Sequence, residues 1–384
     1  NQLFGRMPKN RILFLASWYP SRVSPYSGDF IQRHARVAAR IADITVLHTV
    51  RDDDIAGAYE VSDTDNGLRE IIVYYKDSGC KVLNFFKRMK AFWMGYIRAE
   101  VPDLVHLNTV LPAGLFALYL KFFLGKPFIL SEHWTGFQPF RFRQLNLMTH
   151  ILVRLILQNC RLVLPVSADL GKQMKAVCSK PEFEVVPNVV DTDRFRIFSE
   201  RKSSAKPRFL HLSMLDEQHK NISGILRSAK RLVDSGLSFE LHIGGNGPLE
   251  PIRQFVARHH LQDVIFPFGE LSHDEVPAMM ANADCFLLFS NYENQPCVQG
   301  EAFACGLPFI GTDVGGIGEF LPETFGILIP KGDEDALYRA MESVIRGRKF
   351  ESPAEMHRFA EENFSPEHLA NRFHDIYNRV MHEK

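Results

Sequence analysis

The chain has 384 residues, 46% of them hydrophobic and 23% charged, with Gly 25 and Pro 21. This ordinary globular composition excludes wholesale disorder and collagen-like repetition, and at roughly 100–200 residues per domain the length suits two domains, each burying its own core. Lys+Arg 45 balance Asp+Glu 45, so no basic excess points to nucleic acid.

The balance is uneven along the chain. Asn1 to Val190 carries 24 basic and 16 acidic residues, net +8, and Asp191 to Lys384 carries 21 and 29, net −8. Six cysteines (Cys80, Cys160, Cys178, Cys285, Cys297, Cys305) show neither a C-x-x-C pair nor His neighbours at metal-ligand spacing, and most sit in apolar runs. Reduced, buried thiols and no bound metal are expected. Asn1 to Lys9 lacks the cationic-then-apolar pattern of a secretory signal, and Pro112, Lys121, Lys126 and Pro127 break the apolar stretch Val110–Leu130. A cytoplasmic protein without a spanning helix is expected.

In chain order, short apolar runs read as strands: Ile12–Ala16, Ile44–Leu47, Ile71–Tyr75, Leu104–Leu107, Phe128–Leu130, Leu162–Val166 and Val185–Val186. Helices are expected between them at Phe30–Arg40, Phe85–Ala99, Ala113–Leu124 and Leu145–Asn159, the last with Leu147, Ile151, Leu155 and Gln158 along one stripe. The polar segment Ser199–Pro207 reads as a linker, which puts the domain boundary near 200. The rhythm resumes with Phe209–Leu212, Glu240–Ile243, Val264–Phe266, Cys285–Leu288, Phe309–Gly311 and Ile327–Ile329 as strands. Helices follow near Gly224–Ser235, Leu249–His259, Val298–Ala304 and Asp333–Arg346. A last helix, Pro366–Met381, has no obvious place in the second sheet and is assigned as a separate segment, 366–384, that packs back on the first domain. Alternation of this kind gives βαβ units and two doubly wound α/β domains, 1–200 and 201–365. Two such sheets facing each other direct their strand C-termini, and so their ligand crevices, toward a shared cleft suited to joining two substrates.

The most informative segment is Ser290 to Phe320. Glu293 and Glu301, with seven residues between them, follow the strand Cys285–Leu288. Gln295-Pro296 starts a helix and places Glu301 on its first or second turn, where a carboxylate accepts two hydrogen bonds from a vicinal diol such as a ribose. Unpaired N–H groups of the loop and helix start, here Asn294, Gln295 and the residues that follow Pro296, seat an anion such as a sugar diphosphate, with Pro296 fixing the turn beside it. By themselves, two acids on a surface helix would read the same.

This spacing, with the downstream Ala302-Phe303-Ala304-Cys305-Gly306-Leu307-Pro308 and Thr312-Asp313-Val314-Gly315-Gly316-Ile317-Gly318-Glu319, resembles the retaining glycosyltransferases of family 4. Their GT-B fold has two Rossmann-like domains facing an interdomain cleft. Further matching pieces are Ser17-Trp18-Tyr19-Pro20, Ser27-Gly28-Asp29-Phe30-Ile31, Ser131-Glu132-His133, Val186-Pro187-Asn188-Val189-Val190-Asp191, His219-Lys220-Asn221 and Ile243-Gly244-Gly245-Asn246-Gly247-Pro248. The resemblance implies that Glu301 holds the ribose of a nucleotide-diphosphate sugar and Glu293 lies against the donor sugar. It implies that Lys220 neutralises the diphosphate, a term of several kcal/mol in general, and that His133 contacts the sugar from the N-terminal domain. Gly28 resembles the glycine whose backbone approaches the diphosphate, and Gly245 a donor-binding glycine. No cofactor beyond the donor is implied, and transfer to a saccharide or lipid-linked acceptor is expected to need no metal and to retain the anomeric configuration.

One position departs from the family. The usual Arg–Lys couple, spaced six apart, reads Met214 and Lys220, so the second phosphate-binding cation is missing from its place: either Met214 is a true gap, or His211, His219 or an arginine of the other domain compensates. A non-catalytic scaffold of the same fold, or a sugar-nucleotide epimerase or phosphorylase, is the alternative. Asp52-Asp53-Asp54 and Asp191-x-Asp193 match a metal-binding Asp-x-Asp superficially but sit in polar turns. Lys81–Arg98 mixes five cations with Phe85, Phe86, Phe92 and Trp93. It reads equally as an interfacial helix or as a core-facing helix with a basic outer side, and the net positive half inclines toward an anionic or membrane-held acceptor and a place at the inner membrane face.

Overall fold

The computed structural model describes residues 10–198, 206–272 and 274–382. The chain divides into two compact units, one running up to Val189 and resuming at Pro366, the other Val190–Ser365. Most of the expected linker, Ser199–Pro207, lies outside the described residues. The division falls ahead of the expected boundary near 200 because Val190 and Phe195 already pack in a core of the second unit, where Val190 N–H donates to the Phe364 carbonyl at 2.9 Å.

Among the described residues, the first unit holds an eight-stranded sheet. Its strands are β1 (Arg11–Ala16), β2 (Asp43–Arg51), β3 (Tyr59–Asp65), β4 (Arg69–Tyr75), β5 (Leu104–Asn108), β6 (Phe128–Glu132), β7 (Leu162–Pro165) and β8 (Glu182–Phe183), in the order β3-β4-β2-β1-β5-β6-β7-β8. All neighbours run parallel except β3 and β4. Successive residues of β1 serve opposite faces, Leu13 and Leu15 one core and Ile12, Phe14 and Ala16 the other. The first core is roofed by helices Lys81–Tyr96, Gly114–Leu124, Leu147–Asn159 and Ala168–Val177, the second by Asp29–Ala38 and Pro366–His382. The last helix buries Leu369, Phe373, Ile376, Tyr377 and Val380 in this unit. It is fastened by Arg372 and Arg379 to Glu184 (2.9 and 2.5 Å) and by the Tyr377 hydroxyl to His106 Nδ1 (2.8 Å).

The second unit, among the described residues, has a six-stranded parallel sheet: β9 (Arg208–Met214), β10 (Glu240–Asn246), β11 (Ile265–Phe268), β12 (Cys285–Leu288), β13 (Phe309–Thr312) and β14 (Gly326–Ile329), ordered β11-β10-β9-β12-β13-β14. Strand order reverses between β9 and β12, so the loops leaving those two strands frame the crevice where open α/β sheets take their ligands. The corresponding reversal in the first unit lies between β1 and β5.

Several expectations are corrected. Val185–Val186 is not a strand; the short edge strand is β8, just before it. The stripe Leu147, Ile151 and Leu155 faces outward, because that helix is apolar on two sides and packs through Val153, Ile156 and Leu157. Of the cysteines, Cys160, Cys178, Cys285 and Cys305 are buried, whereas Cys80 is exposed ahead of helix Lys81–Tyr96.

Candidate functional site

Two loops meet at the strand-order reversal of the second unit. After β9 the chain makes a single helical turn, Glu217–Lys220, capped by Asp216, whose carboxylate accepts from His219 N–H at 2.9 Å, and leaves it through Asn221 at φ 50°. After β12 it runs through Ser290–Gln295 into helix Cys297–Ala304, with Pro296 as the N-cap. The loops are stitched together. Asn291 donates from its backbone N–H to the His219 carbonyl (2.7 Å) and from its side chain to the Gln218 carbonyl (3.0 Å), and His219 stacks on Tyr292 with ring centroids 4.2 Å apart.

This stitching sets the Lys220 ammonium directly on Glu293 Oε1, with both side chains buried. Ser290 Oγ donates to the same oxygen at 2.7 Å, and His219 Nε2 lies 3.5 Å away. Burial alone would raise the Glu293 pKa; the opposing charge of Lys220, with His219, outweighs it and brings the value down to about 2, so the carboxylate is ionised. Glu301 is buried on the second turn of helix Cys297–Ala304. Asn294 and Gln295 are buried between these acids in sequence, and the Asn294 carbonyl accepts from Gly316 N–H at 2.6 Å. The β13 loop is pressed so closely here that a Cβ on Gly315, whose φ is +56°, would sit 1.9 Å from the Glu293 carbonyl oxygen. Thr312 Oγ1 donates to the Ser290 carbonyl at 2.7 Å and Gln299 to the Ile317 carbonyl at 2.9 Å, so the loop is braced from both sides. Gly245 lies near the end of β10 and pairs with Ser213 of β9. Lys220, Glu293, Glu301, Asn294, Gln295 and Pro296 therefore gather at one strand-end crevice, with Gly245 on the neighbouring strand.

Met214, at the end of β9, is exposed. His211 does not replace the absent cation: its Nδ1 faces the Leu287 carbonyl (2.9 Å), its Nε2 faces Ser213 Oγ (2.8 Å), and burial lowers its pKa to about 4. His219 is directed at Glu293.

His133 and Gly28 belong to the first unit. Gly28, at φ +71°, caps helix Asp29–Ala38, and a Cβ there would meet the Trp18 carbonyl carbon at 2.6 Å. The turn after β1 thus needs glycine for its own packing. That helix carries Phe30 and His34 onto His133, with ring centroids at 4.5 and 5.3 Å. Burial, with a smaller push from His34, keeps the His133 pKa well below its ordinary value, so the ring is neutral and suited to hydroxyl contacts.

Sequence reasoning placed Glu132 in a matching piece but gave it no role. It is fully buried at the end of β6, and its carboxylate accepts from the backbone N–H groups of Val110, His133 and Trp134, each at 2.8 Å, while burial raises its pKa to about 7. It ties the loop after β5 to the one that presents His133; its signals in the sequence were its place in Ser131-Glu132-His133 and an acid closing an apolar strand. Asp52 and Asp191 serve local roles, Asp52 pairing with Arg22 at 2.8 Å and Asp191 accepting from Arg194 N–H at 3.2 Å. Among the described residues, no group of three or more His, Cys, Asp or Glu side chains is placed to hold a metal ion.

Residues 33–194 match the family model described as Glycosyltransferase Family 4, and residues 193–363 the model described as Glycosyl transferases group 1. The chain belongs to glycosyltransferase family 4. This family 4 chain is 28% identical over 201 residues to a phosphatidylinositol N-acetylglucosaminyltransferase protein of Arabidopsis thaliana, covering 51% of the chain and 44% of that protein. It is 31% identical over 186 residues to WcaL of Escherichia coli (strain K12), named for colanic acid biosynthesis, covering 46% and 45%. The match spans less than half the length of either relative. Among solved structures, the sucrose-phosphate synthase of Thermosynechococcus elongatus superposes with a TM-score of 0.78 at 18% identity, covering 97% of this chain and 99% of that one. Anabaena HepE in complex with UDP gives 0.72 at 14%, covering 96% and 100%. The family 4 chain thus has the two Rossmann-like domains of the GT-B fold.

Proposed function

We propose that this chain transfers a glycosyl group from a nucleotide-diphosphate sugar, bound by the second unit, to a saccharide or lipid-linked acceptor bound by the first, in polysaccharide or glycolipid synthesis at the cytoplasmic side of a membrane. One observation carries the reading. The Lys220 ammonium, the ionised Glu293 and the buried Glu301 gather at the strand-order reversal between β9 and β12, where an α/β sheet binds a nucleotide. The solved complex of Anabaena HepE with UDP supports a nucleotide donor. The lipid named in the Arabidopsis relative and the polysaccharide named in the Escherichia relative support the acceptor class.

In this mechanism Glu301 accepts from the ribose hydroxyls, and Lys220 leaves Glu293 for the diphosphate, neutralising the charge that grows as the anomeric C–O bond breaks. Positive charge from lysine takes the place a divalent cation fills in other transferases. The acceptor oxygen bonds to the anomeric carbon on the face the diphosphate leaves, and its proton passes to the departing phosphate oxygen, so configuration is retained. Glu293, held by Ser290, positions the sugar.

The exposed Met214 favours a second reading, a donor-binding protein without transfer activity. Thermal melting with UDP, GDP, ADP and their common sugars tests the first step, because a ligand of the native state raises Tm. A stabilising nucleotide whose effect is lost in Glu301→Ala, with sugar transfer or slow donor hydrolysis, is the expected result. Stabilisation without either reaction selects the second reading, and no stabilisation by any nucleotide in folded protein overturns the donor site.

A further inference from the structure

Large apolar side chains exposed on a folded protein are normally scattered. Here 16 of the 22 exposed among the described residues fall between Val82 and Leu155, most of them on the helices that roof one face of the first sheet. In helix Lys81–Tyr96, Ala91, Phe92, Gly95 and Tyr96 pack inward, while Val82, Leu83, Phe85 and Phe86 project into solvent. Helix Gly114–Leu124 adds Phe122 and Phe123, 59% and 75% exposed, and helix Leu147–Asn159 adds Leu147 and Met148, 75% and 63% exposed. The patches join. Trp93 meets Tyr119 edge-on at 5.9 Å, Tyr119 stacks with Phe123 at 5.0 Å, and the Lys121 ammonium reaches the Asn159 carbonyl at 2.6 Å.

The charge on the four helices that carry this patch has one sign. Helices Lys81–Tyr96, Gly114–Leu124, Pro139–Phe142 and Leu147–Asn159 contain seven cationic residues, from Lys81 to Arg154, and no Asp or Glu. Lys87, Arg88 and Lys121 donate to neutral oxygens, those of the Lys76 carbonyl (2.9 Å), the Tyr75 hydroxyl (2.8 Å) and the Asn159 carbonyl. A second copy seated face to face would set these cations against themselves. A surface that is apolar where it meets the face and anionic around it matches both features.

We infer that this helical face of the first unit docks on an anionic lipid bilayer, with Phe86, Phe122, Phe123, Leu147 and Met148 entering the headgroup region and the cations pairing with lipid phosphates. No helix among the described residues is long and apolar enough to cross a membrane; the contact lies in the plane of the interface. It is independent of the transfer reading, since it rests on the outer surface of helices that contribute none of the donor-site residues.

Co-sedimentation of the full chain with phosphatidylcholine vesicles, with and without phosphatidylglycerol, tests this. Binding that needs the anionic lipid, weakens with salt and falls about tenfold or more in Phe122→Ser/Phe123→Ser and in Lys81→Glu/Arg154→Glu is expected. Asp375→Ser, on the opposite face, leaves it unchanged. All three variants change exposed side chains, so melting temperature and nucleotide binding stay near wild type and separate this result from the donor site. Absence of vesicle binding, binding indifferent to these substitutions, or a lipid-free dimer abolished by Phe122→Ser/Phe123→Ser overturns the inference.

Discussion

Lys220 and Glu293, 73 residues apart in sequence, form a buried ion pair at the C-terminal ends of adjacent parallel strands. Without donor, the lysine charge is already answered by the protein, so a diphosphate entering the crevice competes with Glu293 for it. Glu293→Gln removes the competitor: the Kd for the nucleoside diphosphate is expected to fall roughly tenfold by calorimetry, the scale of weakening one close charge pair at a protein surface. Sugar transfer falls by about 10²-fold, the order seen when a transition-state contact is lost. Weaker diphosphate binding in Glu293→Gln would falsify the competition.

Removing the other partner has a different signature. Lys220→Ala leaves an ionised carboxylate buried without its cation, which costs about 3–5 kcal/mol of folding stability. The double variant Lys220→Ala/Glu293→Gln recovers most of that stability while remaining inactive. Urea unfolding of the three variants reads the cycle, and a double variant no more stable than Lys220→Ala refutes the pairing energy.

Acid should destabilise the protein early. His34, His48, His106 and His211 are buried, and burial lowers their pKa values to about 4, 4, 3 and 4 from 6.5. Each is neutral in the fold and protonates on unfolding, so its contribution is complete above pH 6.5 and is lost as pH falls toward 4. Glu293, lowered from 4.5 to about 2, adds a second loss of the same sign below pH 4.5. At ~1.4 kcal/mol for each tenfold difference in proton affinity between the folded and unfolded chain, unfolding free energy drops by several kcal/mol between pH 7.5 and 5, and His106→Gln removes about one proton from the slope. A flat profile over that range contradicts the neutral histidines.

Gly315→Ala tests the brace under Glu293. A Cβ at 1.9 Å from the Glu293 carbonyl oxygen forces the β13 and β12 loops apart. Transfer activity is expected to fall about 10²-fold, as small displacements at reacting groups cause, with a stability loss of ~1–3 kcal/mol. Retained activity would show that the Glu293 loop tolerates movement.

Met214→Arg probes the absent cation. Met214 is exposed at the end of β9, so the substitution leaves melting unchanged. It is expected to tighten nucleoside-diphosphate binding by about tenfold as a charge-assisted contact forms. An unchanged Kd shows that another cation already answers the second phosphate.

The apolar strands were legible because parallel strands covered on both faces are continuous Val/Ile/Leu runs. β3 was not: Tyr59–Asp65 is largely polar, and it becomes a strand through its antiparallel ladder with β4, a tertiary fact. The acids and Lys220 were legible as a spaced motif. Their pairing was not, because it depends on β9 lying next to β12 across two intervening strands. The bracing role of Glu132 escaped for the same reason, its three N–H donors coming from two separate loops. The outward turn of Ile151 and Leu155 was hidden because periodicity reveals a stripe, not the side it faces when both sides are apolar.

The helix Pro366–His382 completes the first unit after the whole of the second has been made. During synthesis the later-encoded, uninterrupted Val190–Ser365 unit can therefore close while the earlier one still lacks the residues that fill its second core. Loss of this 17-residue helix wounds the half of the protein encoded first, uncovering Phe14, Ile31 and Ala35, and leaves the Val190–Ser365 unit whole. A shortened chain would thus keep the crevice of Lys220, Glu293 and Glu301 while becoming prone to aggregate through its other half.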